Sequence, residues 1–105
     1  MQQITPIKLK QRLDDGDQLI LLDIREAWEY EVCHIEGSLN IPHKVLMQSL
    51  KQLDPTQAVV VICQHGIRAQ QIAIKLKQNS FDQVFNLLGG IHHWALQVDP
   101  EMARY

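Results

Sequence analysis

The chain contains two thiols, Cys33 and Cys63, and they stand in unlike surroundings. Cys63 ends the apolar, β-branched run Ala58-Val59-Val60-Val61-Ile62-Cys63, which has the character of a buried strand. It is followed by Gln64-His65-Gly66-Ile67-Arg68, and residues 68–77 place Ile72, Ala73 and Leu76 on one helical face. The thiol is therefore expected at a strand–loop–helix junction, beyond the carboxyl end of a strand, where open α/β sheets bind ligands. Gly66 permits a backbone conformation that other residues resist. Successive amides of such a loop can point inward as an anion nest, and the following helix N-terminus adds partial positive charge. Arg68 adds a permanent charge. These effects favour thiolate over thiol and suit an oxyanion substrate or a charged persulfide. The competing reading is a packed core cysteine that happens to end a strand. It leaves Gly66 and Arg68 without a reason.

The remaining elements must hold that junction in place. Residues 18–24 and 84–88 read as further buried strands, residues 38–41 as a short strand ended by Pro42, and Ile4 as part of another. Helical stretches are expected at residues 7–13, 26–32, 44–53, 68–77 and 91–98. Strands alternating with helices in short units imply a small, mainly parallel five-stranded sheet with helices on both faces. The class is α/β, and a chain of 105 residues with no linker or repeat is expected to be one domain, residues 1–105.

Composition narrows the function. The net charge is −2, with no basic stripe for nucleic acid and no polybasic patch for a membrane surface. The longest apolar runs are too short to cross a bilayer, and the start, Met1-Gln2-Gln3-Ile4-Thr5-Pro6, lacks a secretory pattern. The expected location is cytoplasmic, where a structural disulfide is disfavoured. Two cysteines without a CxxC pair do not make a zinc site, and the adjacent His92 and His93 diverge on a helix.

The motif Cys63-Gln64-His65-Gly66-Ile67-Arg68 resembles the rhodanese active-site signature Cys-x-x-Gly-x-Arg. Three further segments are similar to that family in order: Asp23-Ile24-Arg25-Glu26 with Glu29-Tyr30, His34-Ile35-Glu36-Gly37-Ser38-Leu39-Asn40-Ile41-Pro42, and Leu87-Leu88-Gly89-Gly90-Ile91 with Trp94. The resemblance implies a rhodanese-like three-layer domain and a sulfurtransferase. It makes Cys63 the nucleophile and persulfide carrier, and the backbone of Gln64, His65, Gly66, Ile67 and Arg68 the cradle. It implies thiosulfate or another small sulfane donor, a thiol or cyanide acceptor, a sulfur-relay protein or thioredoxin as candidate partners, and neither metal nor organic cofactor. The alternatives are a non-catalytic binding module and a cysteine phosphatase or arsenate reductase. Phosphatases place one residue more between cysteine and arginine, and the shorter loop here predicts a narrower cradle.

Other residues carry weaker expectations. Asp23 and Arg25 are expected to support the site, Arg25 by pairing with Glu29 or another carboxylate and Asp23 by capping the next turn, although Arg25 could also meet an anion. His65 either adds a hydrogen bond to substrate or faces solvent. Cys33 stands where the family usually has glycine, and is expected as a small buried filler, with a resolving thiol as the alternative. Ala69 stands where a serine often follows the arginine.

Overall fold

The computed structural model describes residues 2–105. Five strands form one sheet in the order β1-β5-β4-β2-β3, where β1 is Gln2–Ile4, β2 Leu19–Asp23, β3 Leu39–Asn40, β4 Ala58–Ile62 and β5 Val84–Leu87. Every pairing is parallel, so the mainly parallel expectation becomes a wholly parallel sheet. The helices are α1 (Pro6–Asp14), α2 (Ala27–Val32), α3 (His43–Leu46), α4 (Ile67–Gln78) and α5 (Gly90–Gln97).

Strand periodicity divides the core. Along β4, Val59 and Val61 point to one side with Cys63, while Val60 and Ile62 point to the other. The first side is covered by α4, through Ala69, Ile72, Ala73 and Leu76, and by Leu46 and Leu53. The second is covered by Leu9 of α1 and by Ile91 and Trp94 of α5. Because both faces of β4 are covered, all its residues are buried, which explains a continuous apolar run in place of an alternating one.

Register brings the functional ends level. Asp23 pairs with Ile62 on one side and with Asn40 on the other, so β2, β3 and β4 finish together. The chains leaving them stay bonded: Ile24 N–H donates to Ile62 O (2.9 Å), Ile41 N–H to Asp23 O (2.9 Å) and His43 N–H to Ile24 O (3.0 Å). The sheet thus sets Cys63, Arg25 and His43 on a common edge.

The expected helix at residues 44–53 is a correction. Only His43–Leu46 is α-helical, and Met47–Gln52 is a 3₁₀ helix. In 3₁₀ geometry residues three apart eclipse, which aligns half-buried Leu50 with buried Leu53 toward the core. The Ser49 hydroxyl also donates to Val45 O (3.1 Å), competing with the α-helical bond at that carbonyl.

Leu22, wholly buried in β2, is expected to cost about 2–5 kcal/mol of stability on truncation to alanine. Urea denaturation of Leu22→Ala should show a lower midpoint at unchanged slope.

Candidate active site

Cys63 is the first residue after β4, one position later than the sequence pattern suggests, and α4 begins at Ile67. Its Sγ accepts the N–H of Gly66 at 3.0 Å and the N–H of Ala69 at 3.3 Å. The Ala69 amide lies outside the cradle expected from the motif. It is an orphan donor of the first turn of α4, so helix geometry alone could have nominated it. Cys63 is 6% exposed and lines an open cleft of about 570 Å³. It is not sealed in hydrocarbon.

Two glycines allow the loop to take this shape. Gly66 has φ +88°, and a Cβ there would stand 3.1 Å from Leu87 O and from Gly89 N. Gly90 has φ +63°, and its Cβ would lie 2.4 Å from Cys63 O and 2.5 Å from Gln64 O. That closeness lets the first amides of α5 bind the loop: Ile91 N–H donates to Cys63 O (2.8 Å) and His92 N–H to Gln64 O (3.1 Å). In a trans peptide the N–H opposes the C=O, so the amides of Gln64 and His65 point away from the α5 donors.

The rest of the motif lines the cleft. Gln64, His65, Ile67 and Arg68 contribute to its walls beside Gln71 of α4. Facing them are Ile24, Arg25, Glu26 and Glu29 around α2, and His43 and Lys44 of α3. The motif nominates neither His43 nor Lys44. Their only sequence signal is position, immediately after Pro42 at the carboxyl end of a strand.

Arg68 does not hydrogen-bond to the thiol. Its Nη1 lies 2.6 Å from Nε2 and 3.2 Å from Nδ1 of His43, and the contact is exposed. His43 is held below its usual range by desolvation first and by the adjacent Arg68 second; Glu26 opposes, while Lys44 and Lys75 add to the lowering. The ring is therefore neutral at neutral pH, and the guanidinium lies against its face.

Asp23 and Arg25 form a buried ion pair below the cleft, 0% and 4% exposed. Arg25 Nε donates to Asp23 Oδ1 (3.0 Å) and Nη2 to Oδ2 (2.8 Å), while Arg25 N–H donates to Oδ1 at 3.1 Å. Nη2 also donates to Cys33 O (2.6 Å), and Nη1 to Tyr105 Oη (3.1 Å) and to Glu29 O (3.4 Å). The carboxylate partner is thus Asp23, and Glu29 contributes its carbonyl. Burial works against the Arg25 cation, and the Asp23 and Tyr105 contacts more than offset it, raising its pKa overall. With its donors engaged, the guanidinium supports the wall and is not free to grip a substrate.

Tyr105, which no sequence pattern singles out, packs edge-on against exposed Trp28 with ring centroids 5.2 Å apart, and its hydroxyl donates to Gln64 Oε1. Desolvation pushes this phenol up to about 12 against the pull of Arg25, and Glu29 adds to the rise. It stays protonated and able to donate.

Cys33 is half-buried, a departure from the buried filler expected at that position. It is the residue after α2, where the chain turns extended toward the edge beside Arg25, and its sulfur lies 3.8 Å from Arg25 Nη1. It packs against the α1/α5 core whereas Cys63 belongs to the α4 core, and both thiols are free. His65 is exposed, with its ring 5.2 Å from that of His92. His34 stacks on Tyr30 at 3.9 Å, with Nδ1 2.7 Å from Tyr30 O. Among the described residues no group of three or more His, Cys, Asp or Glu side chains is arranged to hold a metal. No helix among them is long and apolar enough to cross a membrane.

A family model described as "Rhodanese-like domain" matches residues 5–97. "Probable adenylyltransferase/sulfurtransferase MoeZ" of Mycobacterium tuberculosis is 34% identical over 104 residues, covering 97% of this chain and 26% of the relative. "Adenylyltransferase and sulfurtransferase MOCS3-1" of Zea mays is 32% identical over 109 residues, covering 97% of this chain and 23% of the relative. The chain spans about a quarter of the length of these curated relatives. Among solved structures, a rhodanese-related protein from Thermoplasma volcanium superposes with a TM-score of 0.84 at 28% identity, covering 93% of this chain and 94% of that one.

Two substitutions test the scaffold. Gly90→Ala should lower stability by roughly 1–3 kcal/mol or more, because neither the positive φ nor the contact with Cys63 O tolerates a methyl group. Asp23→Asn should cost about 3 kcal/mol, since it leaves the Arg25 charge buried without its counter-ion. Urea unfolding followed by circular dichroism measures both.

Proposed function

The chain belongs to the rhodanese-like domain family, and on that premise we propose that it is a sulfurtransferase in which Cys63 carries sulfane sulfur as a persulfide. The observation that carries this reading is the pair of backbone donors, Gly66 and Ala69, aimed at the Sγ of Cys63, which lines an open cleft. Amides so placed stabilise negative charge on sulfur without having to reorganise during reaction. Two relatives whose names include sulfurtransferase point the same way.

The reaction is a double displacement. The Cys63 thiolate attacks the outer sulfur of thiosulfate, or of a similar sulfane donor. A new S–S bond forms at Cys63 as the donor's S–S bond breaks, and sulfite departs with the electron pair. A nucleophilic acceptor, a thiol or cyanide, then attacks the terminal sulfur of the persulfide, and the Cys63 thiolate leaves. The terminal sulfur of the persulfide carries the charge between the two steps, and the inward amides of the loop stabilise it. Lys44 and Arg68 on the cleft walls favour an anionic donor. Asp23 and Arg25 act as supports beneath the site. No step calls for a metal or an organic cofactor. We read residues 1–105 as one such domain working in a reducing, cytoplasmic setting, with a sulfur-relay protein or a small thiol as the natural acceptor.

Intact mass spectrometry checks the reading directly. Exposure to thiosulfate should add one sulfur atom, which cyanide should remove, and Cys63→Ser should gain none. Sulfur transfer by Cys63→Ser at the wild-type rate, or turnover of an aryl phosphate in place of a sulfur donor, would sink it.

A further inference from the structure

One face of the molecule carries a charge opposite to that of the whole chain. α3, the 3₁₀ helix after it and α4 cover the same side of the sheet. They hold Lys44, Lys51, Arg68, Lys75 and Lys77 and no aspartate or glutamate, in a chain whose net charge is −2. Along α4 the pattern is regular. Ala69, Ile72, Ala73 and Leu76 are buried on the core side, while Ile67, Arg68, Gln71, Ile74 and Lys75 fall within about a third of the helix circumference on the other. All five of the latter are exposed, Ile67 by 73% and Ile74 by 46%. The pair Ile67-Arg68 thus recurs seven residues later as Ile74-Lys75, giving α4 an apolar line edged by cations. Exposed Val45 and Met47 carry the apolar character onto α3 and the turn after it.

A single exposed isoleucine needs no explanation, but two in register beside two cations in register form a surface that suits a partner of opposite charge. The stripe begins at the site: Ile67, Arg68 and Gln71 line the cleft of Cys63. Ile74 and Lys75 continue it about 10 Å further along the helix, outside the reach of a small anion at Cys63. The facing wall carries Glu26 and Glu29, so an acidic body is drawn to α4 and turned away from α2. The stripe is aliphatic and offers nucleic-acid bases no aromatic side chain to stack on.

We propose that the exposed stripe of α4 docks the acceptor, a protein whose contact surface is acidic around an apolar patch. The proposal rests on the sulfurtransferase reading and names the partner class for its second step. In the docked complex a thiolate of the partner attacks the terminal sulfur of the Cys63 persulfide. An S–S bond forms on the partner as the bond to Cys63 Sγ breaks, and Cys63 leaves with the electron pair as thiolate. Charge along Arg68 and Lys75 sets the orientation and the rate of encounter, and Ile67 and Ile74 bury against the partner's apolar patch.

Two synthetic helical peptides of equal length test this, each with one cysteine and two leucines seven residues apart. One carries glutamates around the leucines, the other lysines. The persulfide-loaded full chain is mixed with either peptide or with free cysteine, and the sulfur gained is followed by mass spectrometry. At low ionic strength the acidic peptide should accept sulfur about tenfold faster than the basic one, and added salt should close the gap. Lys75→Glu should lower the ratio of transfer to the acidic peptide over transfer to cysteine about fivefold, and raise that ratio for the basic peptide. Ile74→Ser should lower the ratio for both peptides about threefold. Equal rates for the two peptides, or a ratio that Lys75→Glu leaves unchanged, would overturn the proposal. So would an equal loss in loading from thiosulfate, which would make the cations a funnel for small anions. Tighter binding of a uridine oligonucleotide or of phosphatidylglycerol vesicles, or a dimer in sedimentation, each abolished by Lys75→Glu, would give the face to another occupant and overturn it too. Fluorescence anisotropy of labelled peptides against Cys63→Ser measures docking without turnover and should show the same preference for the acidic peptide. A wild-type chain that gains no sulfur refutes the sulfurtransferase reading, whereas loss of that binding preference refutes the docking stripe.

Discussion

A sulfur atom that accepts two backbone amides requires a loop whose peptide planes cannot rotate. That rigidity comes from the far side of the loop. The opening amides of α5 bind the carbonyls of Cys63 and Gln64, and they reach them only because Gly90 has no side chain to hold the two backbones apart. A helix N-terminus that elsewhere would bind an anion is used here to bind carbonyl oxygens. The anion-binding capacity is left to the other side, where the start of α4 faces Sγ. The division of labour between two helix starts, one for the loop's carbonyls and one for its sulfur, shapes the site.

The opposite wall is built on a different interaction. Asp23 ends β2 inside the protein and would be costly there without a counter-charge. Arg25 neutralises it, and the remaining guanidinium donors fasten the end of α2 through Cys33 O and reach Tyr105. Asn40 of β3 donates to Asp23 O and Arg25 O at 3.1 and 3.0 Å, so β3 is tied to the end of β2 at the level of the cleft. A cation in this position serves as a strut. The exposed cations, Arg68 and Lys44, remain on the cleft walls in contact with solvent. Burial sorts the three positive side chains of the cleft into one strut and two exposed charges, although by charge alone they are equivalent.

Much of this was legible before any coordinates. The valine run of β4, the face of α4 and the glycine between them follow from local periodicity and local sterics. They place Cys63 at the mouth of a turn without knowledge of any distant residue. The order of strands and helices likewise implies parallel pairing, since short units with intervening helices leave little other choice. The contact of Arg68 with His43 joins residues 25 positions apart, and that of Arg25 with Tyr105 joins residues 80 apart. No periodicity announces such pairs. The 3₁₀ turn after α3 was hidden for a related reason, because its geometry answers to how Leu50 and Leu53 meet the core.

The sequence by itself determined the strands, every helix but the one after Pro42, their parallel arrangement and which thiol stands at the loop, because each depends on neighbours within a turn or a strand. Tertiary structure alone decided which amides reach that thiol, which arginine is buried as a strut, and which histidine the exposed one meets. Those outcomes depend on register: β2, β3 and β4 end at the same level, and only then do side chains from separate segments share one cleft.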